Sequence, residues 1–324
     1  MRFGRTLVWF IGLTVILLSG GLWLKTGLAF NTNRIAFTFY SQPDFSDVYV
    51  MDADGGNREN LTNNPAYDYD PDWSPDGTKI AFTSTRNGGS QIFVMDADGK
   101  NQIELTDGPR YKSTPDWSPD GTKIAFTVDD REDYIAVMDA DGENRERLID
   151  QAREPSWSPD GSEIAFMSRR AGGQSYHIYV IDADGQGLRR VTHHLSGAER
   201  PAFSPDGKRI AYQAKDESFS HIFMVNADGT DPKRLTQNQQ NHGDPAWSPG
   251  GKRIAYTFFR DPNRDGASTI HLMTADGQYL ELLSAVDDAY DSQPDFLPVG
   301  LAVSPTSKAA ATWGRLKKLA PELP

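Results

Sequence analysis

Four aspartates follow a proline and precede an aromatic residue, and three of them stand in the repeated string: Pro71-Asp72-Trp73, Pro115-Asp116-Trp117 and Pro294-Asp295-Phe296. In three further copies of the string the same place holds Ser156, Ala202 and Ala246. More carboxylates crowd nearby, with Asp68 and Asp70 in Tyr67-Asp-Tyr-Asp-Pro-Asp72, and Asp287, Asp288 and Asp291 ahead of Asp295. Oxygens converging in this way suit a hard cation such as calcium. They equally suit a structural task, in which each aspartate accepts a neighbouring backbone N–H or solvates a channel. A second set of candidate ligands is imidazole: His193, His194, His221 and His242. Three of these converging would suit a transition metal. His177 and His221, however, fall at the strand position that Gln91 holds in another copy, which marks a rim residue carried by the repeat.

Other chemistries find no support. The chain has no cysteine, hence no disulfide, thiolate metal site, cysteine nucleophile or lipoprotein anchor. No Gly-x-Ser-x-Gly elbow, His-Glu-x-x-His pair or phosphate-cradling glycine loop occurs. The strings Asp52-Ala-Asp-Gly55 and Asp96-Ala-Asp-Gly99 look like fragments of calcium loops, yet the later ligands and the bidentate glutamate are missing. They read as turns.

These residues recur because the chain repeats. An Ile-Ala-aromatic triplet begins at Ile35, Ile80, Ile124, Ile164, Ile210 and Ile254, and an Ala-Asp-Gly turn ends at Gly55, Gly99, Gly142, Gly185, Gly229 and Gly277. The turns are spaced by 44, 43, 43, 44 and 48 residues. Such a period belongs to small units that bury their faces only against one another, here as a closed ring of sheets. One unit is predicted to hold four strands, Pro71–Ser74, Lys79–Ser84, Gln91–Met95 and Gln102–Thr106, which are β-branched or aromatic and too short for helices. Ser-Pro-Asp-Gly and Asp-Ala-Asp-Gly break them, because proline presets φ, aspartate bonds the backbone two residues on, and glycine takes positive φ.

The first unit lacks the Pro-x-aromatic-Ser-Pro string ahead of Ile35, while Gln293-Pro-Asp-Phe-Leu-Pro298 stands alone after the sixth. The latter is expected to be the inner strand of the first unit, set beside Ile35, so that the C-terminus closes the ring and removes two open sheet edges. The near-identical Ser41-Gln-Pro-Asp-Phe45 is expected to be a loop. Loops from strand two to three, and from strand four to the next unit, are long and irregular, whereas the opposite face carries uniform turns. Recognition, and with it the aspartates and histidines above, is therefore expected on the long-loop face.

The Trp-Ser-Pro-Asp-Gly, Ile-Ala-Phe and Met-Asp-Ala-Asp-Gly strings resemble the WD-like repeats of TolB-type six-bladed β-propellers over residues 31 to 298. The resemblance implies an all-β propeller of six four-stranded blades working as a protein-binding module. Oligopeptidases carry a similar propeller, but no hydrolase domain follows residue 298 in this chain. Oligogalacturonate lyases use a related one with a histidine-bound metal, so the alternative is a metal-dependent polysaccharide lyase or glycan hydrolase. TolB proteins place an α/β domain ahead of the propeller, whereas this chain passes from Ala29 to a first strand near Asn33.

Flanking segments suggest placement. The 19 residues from Thr6 to Leu24 are uncharged, lie between Arg2 and Arg5 on one side and Lys25 on the other, and form a hydrophobic N-terminal helix candidate. At about 1.5 Å per residue they reach about 28 Å, against a bilayer core of about 30 Å. Residues 1–29 thus read either as a transmembrane signal anchor or as a signal peptide with small residues in Gly27-Leu-Ala29. Either sends the propeller, residues 30–298, out of the cytoplasm to the periplasm or cell envelope. Residues 299–324 read as a linker and short basic tail, in which Trp313, Leu316 and Ala320 share one side of a possible helix. Net charge is −12, but residues 1–29 and 303–324 each carry +3, leaving −18 on the propeller. Such a body repels nucleic acid and anionic membranes and suits cations, basic partners or neutral glycans; ordinary solubility explains it as well. The expected partner is an envelope or secreted protein or a small polar ligand, bound by a monomer.

Overall fold

Runs such as Ile92-Phe-Val-Met95 and Ile178-Tyr-Val-Ile181, bounded by Pro, Asp and Gly, form strands throughout the computed structural model. It describes residues 34–42, 45–170, 175–193, 196–216, 218–260, 267–284 and 290–298. Among these residues there is no helix, hence none long and apolar enough to cross a membrane. The expected N-terminal helix and the basic tail lie outside them.

Four antiparallel sheets of four strands follow four of the repeats, and one eight-stranded sheet holds the strands of the other two. A single parallel pairing, Ser268 with Tyr290, joins the halves of the larger sheet. The innermost strands are Asp68–Trp73, Lys112–Trp117, Arg153–Trp157, Ser196–Phe203, Asn241–Trp247 and Tyr290–Phe296. Each packs against the next and the last against the first, so the ring closes. As expected, the C-terminal strand runs antiparallel to Arg34–Gln42, with Phe296 opposite Ile35.

Six apolar clusters hold the ring, each drawn from two neighbouring repeats. Ile80 and Phe82 of one repeat, for instance, pack with Val48 and Val50 of the one before. All six isoleucines of the Ile-Ala-aromatic triplets are fully buried. The Ala-Asp-Gly glycine is needed where neighbours approach: Gly99 has φ +80, and a Cβ there would lie 2.7 Å from the Leu61 carbonyl oxygen.

Boundaries differ in places. Lys79–Ser84 is as expected, but the inner strand starts at Asp68, and the outermost strand shrinks to Ile103–Glu104. Ser41 and Gln42 continue the first strand instead of forming a loop, and Phe45 opens the second; Pro43 and Asp44 lie outside the described residues.

One irregularity recurs in all six inner strands. The pairing register shifts across the residue that precedes the repeat proline. These residues, Asp70, Thr114, Glu154, Arg200, Asp244 and Gln293, all have φ between 50° and 54°. A bulge here re-aims one side chain per repeat toward the channel.

Candidate functional site

Two layers of side chains fill the channel. In the first, the residue after the proline stitches one inner strand to the next in four of the six copies. Trp117 N–H donates to Asp72 Oδ2 at 2.6 Å, Trp157 N–H to Asp116 Oδ2 at 2.7 Å, and Trp73 N–H to Asp295 Oδ2 at 2.8 Å. Phe203 N–H donates to Ser156 Oγ at 3.2 Å. Ala202 has no such group, and its carbonyl instead accepts from Trp247 Nε1 at 3.1 Å. Burial raises the carboxyl of Asp72 well above its ordinary range, and the charges of Asp116 and Asp295 push it further. Burial, opposed by the Trp157 N–H and reinforced by Asp295, lifts Asp116 to about 8. Burial, opposed by the N–H groups of Trp73 and Phe296, lifts Asp295 to about 7.

The second layer is the set of bulge residues, and Arg200 dominates it. Its Nη1 reaches Asp70 Oδ1 across the channel at 2.9 Å, and its Nε lies 3.1 Å from Glu154 Oε1 and 3.4 Å from Asp244 Oδ1. Its backbone N–H donates to Glu154 Oε2 at 2.8 Å. Burial disfavours the guanidinium charge, but Glu154, Asp70 and Asp244 outweigh it and hold Arg200 protonated. Burial raises Asp70 and Glu154, with Arg200 pulling both back. Burial together with Asp70 and Asp244 pushes the Tyr40 hydroxyl up to about 12. Threonines support the layer from behind: Thr83 Oγ1 accepts from Thr114 N–H at 3.2 Å, and Thr127 Oγ1 from Glu154 N–H at 2.9 Å.

Arg200 and Asp70 form the inner end of a cavity of about 670 Å³. Its walls pass the aspartate ring and the aromatic residues at Trp73, Trp117, Trp157, Phe203, Trp247 and Phe296, and end at prolines of the Ser-Pro turns such as Pro75 and Pro249. The cavity lining therefore runs toward the uniform-turn face, whereas the sequence places recognition on the long-loop face. The bulge turns the strand residues nearest the long loops inward, where Arg200 bridges them.

The candidate residues separate accordingly. Asp70, Asp72, Asp116 and Asp295 meet in the channel. Asp68 does not join them: it is fully buried beside Arg86 Nη2 at 2.9 Å and takes a hydrogen bond from Asn64 Nδ2 at 2.7 Å. Asp291 is likewise paired, with Arg58 at 2.8 Å, while Asp287 and Asp288 lie outside the described residues. Of the histidines, His193 is exposed, His194 lies outside the described residues, and His221 and His242 are buried with ring centroids 5.7 Å apart. His221 Nδ1 lies 3.2 Å from Thr236 Oγ1, and His242 Nε2 contacts Asn238 Oδ1. Among the described residues no three His, Asp or Glu side chains are arranged to hold a metal ion. Sequence reasoning missed Arg200, Glu154 and Asp244; their shared signal is the place before the repeat proline.

Comparison with known proteins agrees with the ring. The Tol-Pal system protein TolB of Bordetella pertussis is 45% identical over 47 residues, 14% of this chain and only 11% of that relative. The crystal structure of TolB from Acinetobacter baumannii superposes with a TM-score of 0.73 at 23% identity, covering 82% of this chain and 67% of that one. Kuenenia stuttgartiensis hydrazine synthase shares the fold at 18% identity and a TM-score of 0.67, over 81% of this chain and 46% of its own. The family model of the TolB beta propeller domain matches residues 28–152, 111–199 and 130–314, and the chain belongs to that family.

Proposed function

We propose that this chain is an extracytoplasmic binding module, a six-bladed propeller over residues 30–298 whose central cavity receives an envelope protein or a small polar ligand. The eight-stranded sheet is then two blades joined at Ser268 and Tyr290. Residues 1–29 deliver the propeller as a signal peptide, or tether it through residues 6–24, and residues 299–324 trail as a linker and basic tail. The likeness to a Tol-Pal system protein supports an envelope setting. The carrying observation is the cavity, of about 670 Å³, lined from Arg200 to the Ser-Pro turns, in the size range of specific ligand sites. A metal-dependent lyase or glycan hydrolase is less favoured, because His221 and His242 pack among aromatic rings with hydrogen-bond partners in Thr236 and Asn238, and His193 is exposed.

Photo-crosslinking in intact cells tests this reading. Gly250 lines the cavity mouth, and a Cβ there meets nothing within 4 Å, so a benzoylphenylalanine fits without strain. Tyr111, exposed on the long-loop face, is the control. A discrete adduct from position 250 and none from 111 is expected; the reverse pattern would return the site to the long-loop face.

A further inference from the structure

Resting on the reading that the cavity is the binding site, we infer that it selects an organic cation, an ammonium or guanidinium on an apolar stem. Two features of the cavity specify that chemistry. First, its charge is unbalanced: Asp70, Asp72, Asp116, Glu154, Asp244 and Asp295 line it against the single guanidinium of Arg200. Arg200 is spent on Asp70, Glu154 and Asp244, so the deeper imbalance falls on the aspartate ring. Asp72 and Asp116 each use one oxygen on a tryptophan N–H, and among the described residues no donor meets the second. Carboxylates held together without a counter-ion repel one another, and an entering cation relieves that repulsion.

Second, the wall between the ring and the mouth is apolar, built from aromatic side chains and prolines, so a stem of several methylenes is accommodated where a small hydrated ion gains nothing.

The chemistry has two sources, a basic side chain from outside or this chain's own Lys308, Arg315, Lys317 and Lys318, which follow Pro298 at the cavity wall. The probe is Nα-acetyl-lysine methylamide, compared by calorimetry with the norleucine analogue of equal stem length. The lysine probe is expected to bind at least about tenfold more tightly. Asp116→Asn and Asp72→Asn retain an acceptor for the tryptophan N–H and should each weaken the lysine probe about tenfold, leaving the norleucine probe unchanged. Binding should also tighten between about pH 6 and 9 and release protons, because a cation favours the ionised ring. Equal affinity for the two probes, or full affinity in both aspartate variants with circular dichroism intact, overturns the inference; an adduct at position 250 would then still uphold the cavity as the site. A full-length chain with the four tail cations changed to glutamine separates the sources: tighter probe binding assigns the resident cation to the tail, and unchanged binding assigns it to a partner.

Discussion

Arg200 holds together charges that would otherwise face one another across the channel. Its side chain is about a third exposed, 31%, and meets Asp70, Glu154 and Asp244 at 2.9 to 3.4 Å. Replacement by methionine removes the counter-charge of all three, although Glu154 keeps the backbone N–H of residue 200 and Asp244 the Thr257 hydroxyl, and a cost of about 2–4 kcal/mol is expected, toward the lower end because channel water screens the charges. Denaturant midpoints measure it, and an Arg200→Met midpoint equal to wild type would show that water alone carries these charges. Asp116 poses a different question. Asp116→Ala orphans the Trp157 N–H and should cost about 1–3 kcal/mol, whereas Asp116→Asn keeps the acceptor. The aspartate ring was readable from the sequence because Asp72, Asp116 and Asp295 share one repeat position and neighbour one type of residue. Arg200 was not, since the place before the proline holds Asp70, Thr114, Glu154, Arg200, Asp244 and Gln293, with no common chemistry. What those six share is a backbone angle, near +50°, that no residue-type pattern displays. Asp68 misled for a related cause: strict alternation would set it on the same face as Asp70 and Asp72, but the bulge at Asp70 breaks the alternation and Asp68 pairs with Arg86 instead.

At the level of elements, the turns both change direction and seat one stretch of the ring on another, and they differ in what they meet. Gly77 takes φ +69 in a Ser-Pro-Asp-Gly turn closed by Ser74 Oγ donating to Asp76 Oδ1 at 2.7 Å, and faces the flexible end of the Leu297 side chain. Gly99 takes φ +80 and lies against the unyielding Leu61 backbone carbonyl of the preceding repeat. Gly99→Ala therefore pays twice, in backbone strain and in collision, and a loss of at least about 2 kcal/mol is expected. Gly250→Ala, with open space around it and no positive φ, should stay within about 0.5 kcal/mol. Thermal unfolding of the two variants side by side checks the contrast, and equal losses would mean that the neighbouring repeat yields freely. Strand identity, order and closure were readable because apolar triplets and turns alternate at fixed spacing, and because a string missing before Ile35 reappears at Gln293. The short outermost strands were not, since Glu59–Asn60 or Lys233–Arg234 carry exposed charge and pair for only two residues.

Across the whole molecule, two groups of buried titratable residues pull stability in opposite directions with pH. Between the repeats spanning Ser196–Arg234 and Asn241–Leu282, His221, His242 and His271 lie among aromatic rings, with Phe258 and His271 stacked at 4.6 Å. Burial lowers all three; His242 falls to about 3, helped by His221, His271 and Arg234, and His271 to about 4, helped by Arg260. A depressed histidine binds its proton in the unfolded chain first, so its contribution is present above about pH 6.5 and is lost as pH falls toward the folded value. The aspartate ring does the reverse. With Asp295 raised to about 7 and Asp116 to about 8, its contribution is present below about pH 4 and is lost as pH rises to those values. From about pH 4 to 6.5 the two offset each other, and above about 6.5 only the loss from the ring continues. His242→Phe, which suits a site flanked by Tyr256 and Phe258, should gain on wild type steadily below pH 6.5 and show a constant difference above it. Asp116→Asn should gain on wild type from about pH 4 up to about pH 8 and then level off. Unfolding midpoints at about pH 4.5, 6 and 8.5 distinguish them, and parallel profiles for both variants and wild type would mean that both sets keep the same charge state in the folded and unfolded chain.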